Sequence, residues 1–408
     1  MMDRLVVVIE AGDEREHAFC AWRKAGYRVV LLTGALTSRY ESSADEVVAV
    51  DTNSYGAVAG VLRHIVEQQG RSAVLLTLTE WFTESVAKLA EELELVGNPT
   101  RSVKICRNKL MMRQRMASAG VPVPRFASVE SGQPLDETVG RVGGLPCIVK
   151  PVDDSGSRNV SCESTLDELT RSIRRISSNT QTRGGQRLLG RALVEEYLDG
   201  REFSVDGVVW RDKAVVYGIS EVHTTPGRWF VKRGVDTPAP LTSTERLAIE
   251  RLAGDAVAAA GLTVGGFHCE IILAANGPRL VELAPRLASN YIPELVSASV
   301  GRDLYLESVE VLAGQSPHPV SPPTSAASMR KLFAATGGTV EAIMGADEAM
   351  SVPGATLVDF RVGPGGRLPH EIVDRQAAYG AVVAVGETSA EAARRANEMA
   401  RRLKPRVR

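Results

Sequence analysis

Three short apolar runs, separated by stretches of helical spacing, constrain this chain more than any other feature. Leu5-Val6-Val7-Val8-Ile9 is continuously apolar, and Ala11-Gly12-Asp13 closes it. Arg28-Val29-Val30-Leu31-Leu32 and Ala73-Val74-Leu75-Leu76 repeat the pattern. Between and after them, residues 14–25 (stopped by Gly26), 54–69 and about 83–94 carry helical periodicity. A strand that is apolar on both faces must be covered on both, which is the habit of buried parallel strands. The βαβαβ rhythm therefore predicts an open parallel sheet with a crevice at the carboxyl ends of its strands. The G-x-G-x-x-G fingerprint is missing, so this sheet is not read as a dinucleotide-binding unit.

The chain continues well beyond that sheet. Its 408 residues leave room for two or three domains at roughly 150 residues each. Asn108 to Gly120 reads as a helix, and Pro122 and Pro124 end it. Strands and helices then alternate to about residue 315, and Ser316 to Pro323 reads as a Pro-rich linker. Short strands with Gly/Pro turns follow, then a helix from Ser389 to Leu403. Lys plus Arg number 48 and Asp plus Glu 49, which argues against nucleic acid or an anionic membrane held by bulk charge. Nothing approaches an 18-residue apolar stretch, so no membrane span is expected. The five cysteines form no CxxC pair and read as reduced thiols of a cytoplasmic protein, without a zinc site.

Three segments look chemical. In the first, Lys150 closes the apolar run Ile148-Val149, and Asp154-Ser155-Gly156-Ser157-Arg158 follows. A lysine there can reach a phosphate, and a Ser-Gly-Ser loop can close its N–H groups over phosphate oxygens; the plain alternative is an exposed strand end and a turn. In the second, Val194-Glu195-Glu196-Tyr197-Leu198-Asp199-Gly200-Arg201-Glu202-Phe203 joins two strands. Such a crossing can offer backbone groups to an adenine edge and the Glu202 carboxylate to ribose hydroxyls, or it is a solvent-facing acidic hairpin.

The third segment is the sharpest. Gly266 to Leu273 reads as a strand, Ala274 to Gly277 as a turn, and Pro278 to Arg286 as the returning strand. Glu270 and Glu282 each lie between apolar neighbours, where a carboxylate is costly unless paired or bound to a metal. Two converging carboxylates suit a hard cation such as Mg²⁺. A two-residue Asn276-Gly277 turn would put Glu282 opposite Ile271. An odd loop, such as 275–277, would put Glu282 directly opposite Glu270. The metal reading therefore predicts an odd loop, with Gly277 at positive φ. Arg286, four residues beyond Glu282, could hold a phosphate or a developing oxyanion, or pair with one Glu. Lys109, at the start of the helix after Asn108, is a second candidate phosphate cation, unremarkable by itself.

The order of these elements resembles the ATP-grasp superfamily: an Asn-Lys helix, strand-Lys-Pro, a small-residue loop, a Glu-Glu-Tyr-Leu hinge, a Glu strand, then Glu-Leu-Ala-Pro-Arg. Within it the chain is most similar to the L-amino acid ligases, on the hinge 194–205 and on Ile372-Val373-Asp374-Arg375 through Val382 to Ser389. The resemblance implies an α/β fold (α+β in parts). It has an N-terminal Rossmann-like parallel-sheet domain (1–104), a two-lobed ATP-binding core (105–315, mobile lobe about 125–200) and a small C-terminal α+β domain (316–408).

The resemblance also implies roles. Lys109, Lys150, Ser155, Gly156 and Ser157 would hold ATP phosphates. Glu195 would meet the adenine amino group, Tyr197 and Leu198 would offer backbone, and Glu202 would hold the ribose. Glu270 and Glu282 would bind Mg²⁺, with Mn²⁺ as a substitute, and Arg286 would be catalytic. Glu80, His268, Arg286, Ser289, Asn290 and Ile292 would touch substrate. Ala284 stands where many members carry a third metal ligand, Asn. The implied activity is ATP-dependent ligation of a small carboxylate to an amine through an acyl phosphate, in secondary metabolism such as antibiotic dipeptide synthesis, by a cytoplasmic protein, with homodimers a family expectation. The rivals are carboxylase or purine-type chemistry on the same fold, and a degenerate ATP-binding regulatory module.

Overall fold

The computed structural model describes residues 4–12, 14–34, 40, 42–69, 73–129, 132–182 and 184–408. Asp13, which closes the first apolar run of the sequence, lies outside the described residues.

The apolar runs form a parallel sheet. Its strands are β1 (Arg4–Ile9), β2 (Tyr27–Thr33), β3 (Glu46–Ala49) and β4 (Val74–Leu76), in the order β3-β2-β1-β4. Alternate residues of β1 serve two different cores. Val6 and Val8 pack with Phe19 and Trp22 of the helix Glu16–Lys24. Leu5, Val7 and Ile9 pack with Val58 and Leu62 of the helix Tyr55–Gln69 and Leu89 of the helix Thr83–Glu92. That two-sided burial is why these strands read as continuous apolar runs. β3 was not anticipated: it is an edge strand of four residues, only partly buried, with no apolar run.

A second sheet holds β5 (Phe126–Val129), β6 (Cys147–Pro151), β7 (Ser161–Glu163) and β8 (Ala192–Glu196), in the order β5-β8-β6-β7, all antiparallel. The helix Leu166–Ser178 packs Leu169, Ile173 and Ile176 on it. A capping box of Thr165 and Glu168 starts that helix.

The central sheet is larger. It begins with β9 (Gly200–Trp210), β10 (Lys213–Thr224), β11 (Lys232–Thr237), β12 (Val264–Ala274) and β13 (Gly277–Ala284). Beyond the Pro-rich segment come β14 (Ala326–Phe333), β15 (Gly338–Met344), β16 (Ala355–Phe360), β17 (Arg367–Leu368), β18 (Ala378–Gly386) and β19 (Lys404–Val407). The central order is β13-β12-β9-β10-β11-β14-β18-β16. Three strands from beyond the linker therefore extend the same sheet, joined where Gly234 pairs Arg330 and Val235 pairs Met329. The remaining three form a small sheet, β17-β15-β19. No helix among the described residues is long and apolar enough to cross a membrane.

Candidate active site

Asn108 fixes the first cation. Its side-chain oxygen caps the helix Lys109–Ser118 by accepting from the N–H groups of Leu110 and Met111. Lys109 is thereby held at the first helical position, and its own N–H donates to Val152 O at 2.7 Å. Its buried ammonium donates to Asp154 O at 2.9 Å and lies 3.4 Å from Glu282 Oε2. The second cation, Lys150, is buried at the end of β6 with Nζ 2.6 Å from Glu195 Oε2. Burial pushes the Lys150 pKa down even though Glu195 pulls it up.

Glu195 is shared by two cations. Its other oxygen lies 2.6 Å from Nε of Arg113, whose side chain is 0% exposed. Burial alone would raise the Glu195 pKa, but Arg113 and Lys150 outweigh it and lower it. Glu195 lines the cavity as the support of Lys150. Tyr197, Leu198 and Glu202 line the same cavity, with Lys109, Lys150 and the 155–157 loop.

The two strands of the third segment meet as the metal reading required, by a different device. A two-residue turn at Ala275-Asn276 pairs Ala274 with Gly277, whose φ is +104°. That register runs to Ile271 opposite Leu280. Val281 then enters as an extra residue on β13, and the next pair is Glu270 opposite Glu282. The expected odd loop is replaced by an even turn plus a bulge, because a bulge adds one residue to one strand and shifts the register by one. The bulge also frees the Val281 carbonyl, which accepts from Arg113 Nη2 at 2.7 Å.

Around this corner the charges are dense. Lys232 donates to Glu270 Oε1. Burial would lift the Glu270 pKa, but Lys232 and His268 hold it well below the usual carboxylate range. His268 sits behind it, with Nε2 3.5 Å from Glu270 Oε1 and Nδ1 3.1 Å from buried Asp206. Burial opposes the charged imidazole, yet Asp206 and Glu270 win and raise its pKa to about 9. Glu202 goes the other way: burial and the nearby Glu270 and Glu282 carboxylates, against Lys232 and His268, push it up to about 7. Three carboxylates thus crowd one face of the sheet, and the pair Glu270–Glu282 offers hard oxygen donors of the kind Mg²⁺ takes. Ala284, opposite His268, supplies no third.

Arg286 sits at the centre of the site. Its Nε donates to Glu80 Oε2 at 2.6 Å, and its Nη1 donates to Leu287 O at 2.8 Å. Glu80 follows β4 in a short 3₁₀ turn, is buried, and also accepts from Arg107 Nη1 at 3.2 Å. Burial would raise the Glu80 pKa, but Arg286, Arg107 and Lys109 together lower it to about 2. Two cavities meet at Arg286. The first holds the lysines, the acidic corner and Ser289, Asn290 and Ile292. The second opens at the carboxyl ends of the parallel strands, along Glu10, Gly34, Asp51, Leu78 and Glu80. Arg286, Ser289, Ser155, Gly156 and Arg158 line both. The loop itself is built from left-handed residues, with φ +70° at Gly156 and +57° at Ser157, and Arg158 Nε donates to Asp154 Oδ2 at 2.6 Å. Arg375 packs over Gly156, where an added Cβ would lie 3.3 Å from its Cδ.

Sequence reasoning missed several participants. Arg107, Arg113, Asp206, Lys331 and Arg375 sit in elements of ordinary composition. Only the Asp154-to-Arg158 spacing carried a local signal.

Comparisons with known proteins fit this geometry. Residues 143–294 match the ATP-grasp domain family, and residues 330–408 match the L-amino acid ligase C-terminal domain 2. The chain is 31% identical over 327 residues to an uncharacterized protein of Sinorhizobium fredii, across 78% of this chain and 65% of that protein. It is 22% identical over 318 residues to dapdiamide A synthase of Enterobacter agglomerans, across 73% of this chain and 70% of that one. The crystal structure of an L-amino acid ligase from Bacillus licheniformis superposes with a TM-score of 0.84 at 20% identity, over 100% of both chains, a likeness of fold.

Proposed function

Since the chain belongs to the ATP-grasp superfamily and carries the C-terminal domain of its L-amino acid ligases, we propose that it is an ATP-dependent carbon–nitrogen ligase. It joins a carboxylate to an amine through an acyl phosphate and releases ADP and phosphate. The observation that carries this reading is that Arg286 lines both the lysine-rich cavity and the cavity at the carboxyl ends of the parallel strands. A group transferred from a nucleotide in the first would reach a substrate in the second at that guanidinium.

In this reading Lys109, Lys150 and the 155–157 loop hold the ATP phosphates. Tyr197 and Leu198 offer backbone to the adenine, and Glu202 takes the ribose. Glu270 and Glu282 would hold Mg²⁺ (or Mn²⁺), which supplies charge neutralisation on the phosphoryl group when bound. The substrate carboxylate attacks the γ-phosphorus in line, and Arg286 neutralises the transferred group. The amine then attacks the acyl carbon, and Arg286 stabilises the oxyanion while phosphate leaves. Glu80 keeps Arg286 aimed between the cavities. Closure of the loop excludes water, which would otherwise hydrolyse the acyl phosphate. His268 is held between Asp206 and Glu270, both of which favour its charged form. It acts with Ser289, Asn290 and Ile292 in shaping the substrate end.

The likeness to an L-amino acid ligase supports an amino acid as one substrate. A dipeptide-type product of secondary metabolism, a cytoplasmic location for a chain with five free thiols, and assembly as a homodimer complete the reading.

The test is phosphate release from ATP and Mg²⁺ against a matrix of paired L-amino acids and amines, with mass detection of products. Release that needs both partners, with a product lighter than their sum by one water, supports the reading. ATP hydrolysis that ignores the amine, or a carboxylated product, removes it.

A further inference from the structure

Lys331 is a cation of the site that the mechanism leaves unused. It lies in β14, the strand through which the segment beyond the linker joins the central sheet. Alternate residues of a strand share a face, and Ala327 and Met329, on the face of Lys331, are fully buried against Ile292, Leu295 and Val296. Lys331 prolongs that apolar face to the wall of the first cavity, beside Arg286, Ser289, Asn290 and Arg375.

Its surroundings differ from those of the other cations. Lys150 has Glu195, Lys109 has Glu282, Lys232 has Glu270 and Arg286 has Glu80. Among the described residues Lys331 has no hydrogen bond or ion pair. The charged groups that act on it are Glu14, Arg375, Arg361 and Lys232. Glu14 lies 3.9 Å from Arg361 Nε, and Lys232 is already on Glu270. Enclosure pushes its pKa down to about 7, with Glu14 opposing and the three cations assisting. A partly buried ammonium without a partner is costly, and an anion of the right reach would relieve it.

We propose that Lys331 anchors a carboxylate carried by the amine-bearing substrate, which makes the acceptor an amino acid and the C-terminal segment a wall of its subsite. The proposal rests on the ligase reading. An acceptor that lacks the carboxylate leaves Lys331 unpaired, so the lysine acts as a selector as well as an anchor.

The test compares L-amino acids with their carboxamides as acceptors in ATP-dependent ligation, for the parent chain and for Lys331→Ala and Lys331→Arg. A charge-assisted contact of this kind sets a selectivity of about 10- to 100-fold. The Lys331→Ala variant should lose that selectivity through the KM of the amino acid, and Lys331→Arg should recover part of it. Selectivity unchanged in Lys331→Ala, or a loss confined to kcat and equal for both acceptor types, overturns the proposal. The second readout needs no turnover. In protein labelled with ¹⁵N-lysine, the Nζ resonance that vanishes in Lys331→Arg reports Lys331. L-amino acids should raise its pKa and the carboxamides should not. Failure of every common L-amino acid to move it refutes the anchor even if the ligation succeeds; an upward move without ATP turnover keeps the anchor and rejects the ligase reading.

Discussion

Replacing Arg113 by Met tests the link between the buried ion network and the acidic corner. Arg113 is 0% exposed and joins three elements: it lies 2.6 Å from Glu195, which supports Lys150, and donates at 2.7 Å to the Val281 carbonyl released by the bulge. Met fills much of the same volume without the charge. The loss leaves Glu195 with one cation instead of two and orphans a buried carbonyl. Breaking a buried pair by removing one partner costs about 3–5 kcal/mol. For a cooperative unit of roughly 200 residues, with unfolding entropy near 0.4 kcal/mol/K, that is a fall in Tm of about 7–12 °C.

The structure ties a second effect to the first. The bulge sets Glu282 opposite Glu270 rather than one residue out of step, and Arg113 holds its carbonyl. Arg113→Met should therefore weaken ADP binding more in the presence of Mg²⁺ than in its absence. Scanning calorimetry gives the stability, and titration calorimetry with and without Mg²⁺ gives the affinities. A variant whose Tm stays within about 2 °C of the parent would refute the ion-network argument. A variant that loses stability but keeps the full Mg²⁺ enhancement of ADP binding would refute the link between Arg113 and the register.

Three further outcomes follow from the site. Glu282→Gln should lower the affinity for ADP with Mg²⁺ by at least about tenfold while metal-free ADP binding holds or improves, read by titration calorimetry. Arg286→Lys loses the paired contacts to Glu80 and should lower kcat by about 10²–10³ with the KM for ATP little changed, in the phosphate-release assay. The Glu80 pKa is lowered to about 2 in the folded chain, so the stability it contributes is present above its unfolded value near 4.5. That stability is lost as pH falls from about 4.5 towards 2, and Glu80→Gln should flatten the urea-midpoint curve across that window.

Much of the site could be read from the sequence because its groups sit on short, locally patterned pieces. A lysine closing an apolar strand, a Ser-Gly-Ser loop and two Glu in one hairpin each announce themselves within about ten residues. What escaped was set by partners far along the chain. Nothing local to Glu195 reveals Arg113, which reaches it from the helix Lys109–Ser118. Arg286 had two carboxylates as near neighbours in sequence, yet it pairs with Glu80, 206 residues away. The bulge at Val281 is a choice between two registers that differ by one residue, and the hairpin's composition fits both. Lys331 reads as an ordinary strand lysine, because its meaning lies in an apolar face supplied by the helix Ile292–Val300.

In the proposed reading, the pairing of Lys109 with Glu282 and of Lys150 with Glu195 has a consequence for the order of binding. Lys109 can turn to a phosphate oxygen only if Glu282 finds another cation, since a carboxylate left bare on that sheet face would repel Glu270 and Glu202. A nucleotide arriving without a divalent cation therefore meets lysines already engaged, and a divalent cation arriving alone displaces lysines with nowhere to go. Each lowers the cost of the other. The coupling is reciprocal by linkage: the factor by which Mg²⁺ tightens nucleotide binding equals the factor by which nucleotide tightens Mg²⁺. Lys150 stands outside this exchange, because Glu195 keeps Arg113 as a partner when Lys150 moves to a phosphate. Lys150→Ala should thus weaken nucleotide binding by a similar factor with and without Mg²⁺, whereas Lys109→Ala should shrink the Mg²⁺ enhancement itself. Equal behaviour of the two variants in paired calorimetric titrations would refute the partner exchange.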